Sequence, residues 1–430
     1  MKQVCIVVFC LAVLLHSFDL SRLKAVDTLP IIPYGFGFSK ATWNDPSLIV
    51  EGDSMVMYAS ASRGFAAIRV CIYRLVSKDG VSWRLSPDTA VLSPSQDSTA
   101  WDYGGIETPS VVYFNNKYHM YFTTYKSLES VLLYRTGHAS SSDGIHWTKT
   151  ANPVISPTGK PTDFNAYFTA EPGAVVCKNE VLLYFTTMGF DTTVMSNQQT
   201  IGLARSSDGV NFSSPVQVIK PNQIQYPRKD GWLGFSAPSA IIIDDTMHVF
   251  ATVVNDSAKW LQYAIHHFTS SDGQTNFASD SAQLLRRTDF RWTQDNIAAP
   301  VPVMFKNKFM LYFAGSDFKE PDWNTDYWGI GLTVCDMPST KIEKNEQSNN
   351  IPLFTLLGNP FTDRLVVDVH QNSLPVRFSL YDIFGRHCIA PTFSKTALFQ
   401  VPSTSLAEGL YFLKAEKGSH TTVRTVIKGR

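Results

Sequence analysis

A residue-Pro step, an apolar run, a tight polar turn and a second, aromatic-rich apolar run follow one another five times along this 430-residue chain. The copies open at Asp45-Pro46, Thr108-Pro109, Glu171-Pro172, Ala237-Pro238 and Ala299-Pro300, and their prolines are 63, 63, 66 and 62 residues apart. That period is longer than a solenoid unit and leaves room for two to four strands per copy, the size of a propeller blade. A second marker runs in register, Ser-x-Asp-Gly at Ser77, Ser141, Ser206 and Ser270. Asp-Gly between apolar runs predicts a type I′ hairpin with positive φ at both central residues, here joining the outer two strands of each blade. One more step falls on Asp336, where the turn has decayed, so the fifth copy lacks its outermost strand. Asp27 to Gly35 resembles the stretches after the Asp-Gly turns and is expected to supply it, an N-terminal clasp that leaves no inner sheet edge free. The expected fold is all-β: a five-bladed β-propeller over 26–338, a linker over 339–352 and a small C-terminal β-sandwich over 353–430.

Residues 1–25 carry Lys2, the apolar run VCIVVFCLAVLL and a polar stretch ending at Ala25, which reads as a signal peptide cut after Ala25. No later stretch approaches 18 apolar residues, so no membrane span is expected. The 37 basic and 37 acidic residues balance, which argues against a nucleic-acid partner. A monomer is expected. Beyond the signal, Cys71, Cys177, Cys335 and Cys388 have no Cys-x-x-Cys spacing, and three lie inside apolar runs as small hydrophobes. The histidines, including the His266-His267 pair, lack ligand spacing, and there is no Gly-rich phosphate loop or Gly-x-Ser-x-Gly elbow, so neither metal nor cofactor is expected.

In the tail, Asn359-Pro360-Phe361, LYDIFGR (Leu380 to Arg386), LAEGLYFLKAE (Leu406 to Glu416) and a last strand ending at Lys428 alternate β-patterned runs with turns. These motifs, in this order, resemble the C-terminal sorting domain of the type IX secretion system of Bacteroidota. The resemblance implies export across the outer membrane of a Gram-negative cell by that machinery, with the product released or held at the surface.

Each X-Pro step starts an innermost strand, so the residues before proline face one mouth of the central channel. They include Asp45, Glu107 (in Ile-Glu-Thr-Pro) and Glu171, with only small residues in copies four and five. Paired carboxyls are the minimum equipment for glycoside hydrolysis, one protonating the leaving oxygen and one serving as base or nucleophile; a third can tune them. The bland reading is that acids beside proline cap the strand entrance. Aromatics in the entering loops, Trp43, Trp101, Tyr103, Phe164, Tyr167, Trp232, Phe235 and Trp292, are expected to rim the mouth as sugar-stacking faces, with Asn44 beside Asp45. Arg63, Lys126, Asp191, Asn255 and Asp317, after the second strands, are candidate specificity residues.

Trp43-Asn44-Asp45-Pro46, Ile106-Glu107-Thr108-Pro109 and Glu171-Pro172 resemble the opening Asn-Asp-Pro, the Glu-x-Pro acid step and the pKa-modulator step of the five-bladed propeller glycosidases, the superfamily of arabinanases, xylosidases, invertases and levansucrases. The order departs from that group, since the Glu-x-Pro step precedes the acid-Pro step and the modulator is a glutamate. The resemblance implies a glycoside hydrolase with Asp45 as base or nucleophile and leaves Glu107 and Glu171 interchangeable. The alternative is a non-catalytic carbohydrate-binding propeller or an adhesin.

Overall fold

A computed structural model describes residues 19–62, 69–126, 134–193, 195–221, 232–255, 261–280, 282–317 and 327–337 of the repeat region. In the tail it describes 353–357, 359–362, 364–369, 375–382, 387–389, 391–394, 396–403, 406–417 and 420–429. Most of the expected signal peptide and the expected linker lie outside these residues. The chain forms two compact units, Met1–Ser339 and Thr340–Arg430.

Among the described residues the first unit holds five antiparallel groups of strands, called sheets below. They are β2 Thr42–Glu51, β3 Ser54–Ser62, β4 Cys71–Ser77 and β5 Arg84–Leu85; β6 Gly105–Phe114, β7 Lys117–Tyr125, β8 Arg135–Ser141 and β9 Thr148–Lys149; and β10 Phe168–Cys177, β11 Glu180–Asp191, β12 Ser196–Ser206 and β13 Val216–Ile219. The fourth is β14 Trp232–Ile243, β15 Thr246–Asn255 and β16 Gln262–Ser270 with the short β17 Ala278–Ser279 and β18 Leu285–Arg286; the fifth is β19 Asn296–Phe305, β20 Lys308–Ser316 and β21 Gly329–Asp336. A single parallel bridge, Gln199 to Gly234, links the third sheet to the fourth.

Alternating apolar residues bury both faces of each sheet against its neighbours. Met120 and Phe122 pack with Val56 and Tyr58; Leu183 and Phe185 with Phe114 and Tyr121; Val249 and Ala251 with Leu182 and Tyr184; Leu311 and Phe313 with Phe250 and Ile265. Met310 and Tyr312 return to Trp43, Met55 and Met57, so the fifth sheet shares a core with the first. Packing of this kind, rather than one continuous sheet, makes the propeller.

The repeat has a local cause. Ser77 Oγ accepts the Gly80 N–H at 2.8 Å, and Asp79 Oδ1 accepts those of Val81 and Ser82 at 2.8 and 2.7 Å. Ser141, Ser206 and Ser270 with Asp143, Asp208 and Asp272 do the same. In each Asp-Gly pair only the glycine has positive φ, 77, 71, 80 and 68°, so these outer turns are side-chain-capped turns rather than the expected type I′. Type I′ geometry sits instead in the inner hairpins, where Asn115-Asn116, Lys178-Asn179, Asp244-Asp245 and Lys306-Asn307 have positive φ at both residues. Each outer glycine also receives a neighbour. Tyr58, Tyr121, Tyr184 and Tyr312 hydroxyls donate to the carbonyls of Gly144, Gly209, Gly273 and Gly80 at 2.8, 2.7, 2.5 and 2.6 Å. The last of these ties the fifth sheet to the first.

The N-terminal clasp forms, with a shifted boundary. β1, Lys24–Ala25, pairs with Val334 and Thr333, and Ile32 bridges Ile330. This copies the broken outer strands elsewhere, where β5 and β9 are followed by the Ile72–Leu92 and Thr136–Ile155 bridges. Lys24 and Ala25, at the end of the expected signal peptide, pair in this sheet, and Leu20 and Leu23 pack on the Phe309–Leu311 core.

The second unit has two sheets. β22 Phe354–Leu356, β23 Leu365–Val369 and β26 Leu398–Val401 form one; β25 Thr392–Ser394, β24 Val376–Asp382, β27 Gly409–Lys417 and β28 His420–Lys428 form the other. Leu365, Val367, Phe378, Leu380 and Leu413 fill the shared core. The Asn359 side chain explains the Asn-Pro opening, since it accepts the Ile427 N–H at 2.8 Å and donates to the Thr425 carbonyl at 2.9 Å, tying the first loop to the last strand.

Candidate active site

Every X-Pro step is a β-bulge. Pairing slips at Asn44/Ser47, Glu107/Ser110, Ala170/Gly173, Ser236/Ser239 and Ala298/Val301, and the residue before each proline has φ between 46 and 50°. Proline cannot donate to the ladder, and a bulge is where a strand can accommodate it. A left-handed Asp, Thr, Glu or Ala is strained, at a cost on the order of 1 kcal/mol or more. The freed N–H recovers part of that cost across the gap between sheets. Thr108 N donates to Ser60 Oγ at 2.8 Å, Glu171 N to Thr123 Oγ1 at 2.6 Å, Ala237 N to Thr186 Oγ1 at 2.8 Å and Ala299 N to Thr252 Oγ1 at 3.0 Å. The position in the fifth sheet that corresponds to these hydroxyls is Ala314, and the Asp45 N–H is met by its neighbour Asn44 Oδ1 at 2.8 Å.

The bulges aim Asp45, Thr108, Glu171, Ala237 and Ala299 into one axial cavity of about 40 Å³. A second cavity, about 170 Å³, opens beside it at the seam between the fifth and first sheets, walled by Asn44, Asp45, Ser60, Ser62, Glu107 and Trp328. Asp45 belongs to both. Glu171 lines the first, Glu107 the second, and Asp45 joins the two, each half-buried.

Their hydrogen bonding differs. Glu171 Oε2 accepts the Thr186 hydroxyl at 2.6 Å and the Ala237 N–H at 2.9 Å. Asp45 faces the matching crook two gaps back, where the Ser60 hydroxyl and the Thr108 N–H partly offset the rise in its pKa. Donors of this kind favour the ionised carboxylate. Glu107, one residue earlier on its bulge, has no hydrogen bond to its carboxyl among the described residues; the hydroxyls of Thr108 and Thr123 bond each other instead. Burial raises the pKa of all three; burial with the charges of Glu107 and Glu171 lifts Asp45 well above its ordinary value, and burial with the charge of Glu171 pushes Glu107 up to about 7. Three carboxyls this close do not all ionise, so a proton is held among them near neutral pH.

The aromatic rim is corrected in most of its members. Trp43 is fully buried, its Nε1 donating to the Phe36 carbonyl at 3.0 Å, and Phe235 is core beside Phe268. Trp101 and Trp292 stack on Phe122 and Phe313 at 6.2 and 5.6 Å over Gly137 and Gly331, whose missing side chains make room for the rings. They face their own sheets because each phenylalanine pairs with that glycine in register and offers a flat apolar surface. Tyr103 lies under the Arg69 guanidinium, and Phe164 lines a separate cavity on the third sheet. Tyr167 packs with Tyr134, Phe168 and Met188. Trp232 is described in its backbone alone, Arg63 lies outside the described residues, and Lys126, Asp191, Asn255 and Asp317 line neither cavity at the acids. The aromatics that do reach the acids are others. Trp328 walls the seam cavity, and the stacked Tyr125 and Tyr134, 4.8 Å apart, feel the charge of Glu107. The supporting hydroxyls had a legible signal, a Ser or Thr two residues after the aromatic in YAS, YFT, YFT and FAT; Trp328 and the tyrosine pair had none in the repeat.

Residues 106–292 match the family model of the glycosyl hydrolases family 32 N-terminal domain, and residues 357–429 that of the secretion system C-terminal sorting domain. No curated protein matches the chain in sequence. Among solved structures, a thermostable family-43 glycoside hydrolase is 13% identical over 69% of this chain and 89% of its own, with a TM-score of 0.53. A family 117 glycoside hydrolase from the marine bacterium Zobellia galactanivorans is 16% identical over 73% and 90%, TM-score 0.53, and a glycosyl hydrolase from Bacteroides ovatus 15% over 73% and 93%, TM-score 0.53. At these identities the structures establish the propeller fold, and the sorting domain marks the chain for secretion or the cell surface.

Proposed function

We propose that this glycoside hydrolase cleaves a poly- or oligosaccharide with Glu107 as general acid, Asp45 as base or nucleophile and Glu171 as the carboxylate that keeps Glu107 protonated. The observation that carries this reading is the contrast between Glu171, whose carboxylate accepts a hydroxyl and a backbone N–H, and Glu107, which accepts neither and is pushed by burial and the charge of Glu171 up to about 7. A sugar in the seam cavity would present its glycosidic oxygen to Glu107, which gives up its proton as the C–O bond breaks. The Asp45 carboxylate meets the anomeric carbon or takes a proton from the attacking water. Burial, with the charge of Glu171, delays ionisation of Glu107 to near neutral pH, where a proton donor is most useful. The test is hydrolysis of a panel of plant, algal and host polysaccharides and aryl glycosides. Asp45→Asn should lose ~10² to 10⁴ in rate on every substrate. Glu107→Gln should lose as much on natural linkages and little on aryl glycosides with good leaving groups, which need no protonation. If Glu171→Gln shows that selective rescue instead, the acid is Glu171; if the wild-type protein cleaves nothing, the activity is wrong.

A further inference from the structure

On the third sheet, away from the acids, lies a larger cavity of about 350 Å³. Its walls include Phe164, Phe190, Asp191, Gln198 and Gln217. Phe190 is 36% exposed, unusual for a phenylalanine ending a central strand. The polar groups around it are mostly acceptors. Asp191 uses Oδ1 for the Thr193 N–H at 2.7 Å, which leaves Oδ2; Gln217 uses Nε2 on Thr200 Oγ1 at 3.0 Å, which leaves Oε1. Gln198, 3% exposed, has an Nε2 without a hydrogen-bond partner among the described residues. A flat apolar ring beside spare carbonyl and carboxylate oxygens is what a sugar requires, its C–H face on the ring and its hydroxyls donating to the oxygens.

The same strand, β11, joins this cavity to the acids. Thr186 bonds Glu171, and Gly189 to Asp191, which line the cavity, follow three to five residues later, about 10 to 17 Å at the rise of a strand. We propose that this cavity is a distal subsite for the carbohydrate chain being cleaved, so that the substrate is a polymer or long oligosaccharide rather than a disaccharide. This rests on the glycosidase reading above.

Affinity electrophoresis of the full chain tests it, in gels containing arabinan, arabinoxylan, levan, inulin or mannan, alongside hydrolysis of aryl monoglycosides. At least one polysaccharide should retard the hydrolytically silenced Asp45→Asn protein, and adding Phe190→Ala or, separately, Gln217→Ala should weaken that retardation about tenfold. In the otherwise wild-type protein neither change should alter the aryl monoglycoside rate. Retardation unchanged in both variants, or none by any of the five polysaccharides, overturns the subsite. Retardation lost on Phe190→Ala in a protein without aryl glycosidase activity supports the subsite and condemns the catalytic assignment alone.

Discussion

Glu107 and Glu171 look alike in the sequence, two acids beside two prolines, and one residue of offset on the bulge separates them. At the X position of the bulge, the Glu171 carboxylate meets the next sheet's N–H and its own sheet's hydroxyl; one step earlier, Glu107 meets neither. The folded pKa of Glu107, about 7, stands above its ordinary value, so its contribution to stability is full below about pH 4.5 and lost as pH rises through 7. Replacing it with Gln removes that loss. The melting temperature of Glu107→Gln minus that of wild type should therefore grow between pH 5 and pH 8 while activity on natural linkages falls. A difference that is flat or shrinks over that range would contradict the assignment.

At the scale of elements, the recurring tyrosine and the recurring Asp-Gly are two ends of one bond between neighbouring sheets. Tyr121→Phe removes the donor to the buried Gly209 carbonyl and should cost ~1 to 3 kcal/mol in urea unfolding. Phe250 is the natural exception. It occupies the tyrosine position in the fourth sheet, and the fifth sheet has no Asp-Gly turn for it to reach, so Phe250→Tyr should yield no gain. Two histidine pairs repeat between the second and third strands of the second and fourth sheets, His119 with His138 at 3.0 Å and His248 with His267 at 2.9 Å. Burial lowers all four, His138 and His248 to about 4. Histidines held neutral stabilise above the unfolded pKa of about 6.5, and the benefit is lost as pH falls towards 4. Replacing His138 and His248 with Leu should flatten the fall in melting temperature between pH 6.5 and 4; an undiminished slope would rule the pairs out as its source.

For the whole molecule, two separate cores mean that export and catalysis separate as well. A chain ending at Met337 should fold and keep its hydrolytic activity, yet fail to leave the cell, and its appearance outside would refute the role of the tail. The sequence by itself determined the repeat, the all-β class and the two modules, because each follows from local pattern: proline, turn chemistry and alternation act on near neighbours; that each X-Pro step is a bulge inside its strand rather than the strand's start came from the structure. Even the three acids were legible, since the repeat places them on equivalent strands. Only the tertiary structure decided which acid lacks donors, because the backbone N–H on Glu171 comes from the next sheet, 66 residues away in sequence. It also decided that Trp43, Trp101, Phe235 and Trp292 are packing and that Trp328 walls the seam. An aromatic before an inner strand can turn either way, and the partner it finds, Phe122 over Gly137 or Phe313 over Gly331, is fixed by register between strands rather than by position along the chain.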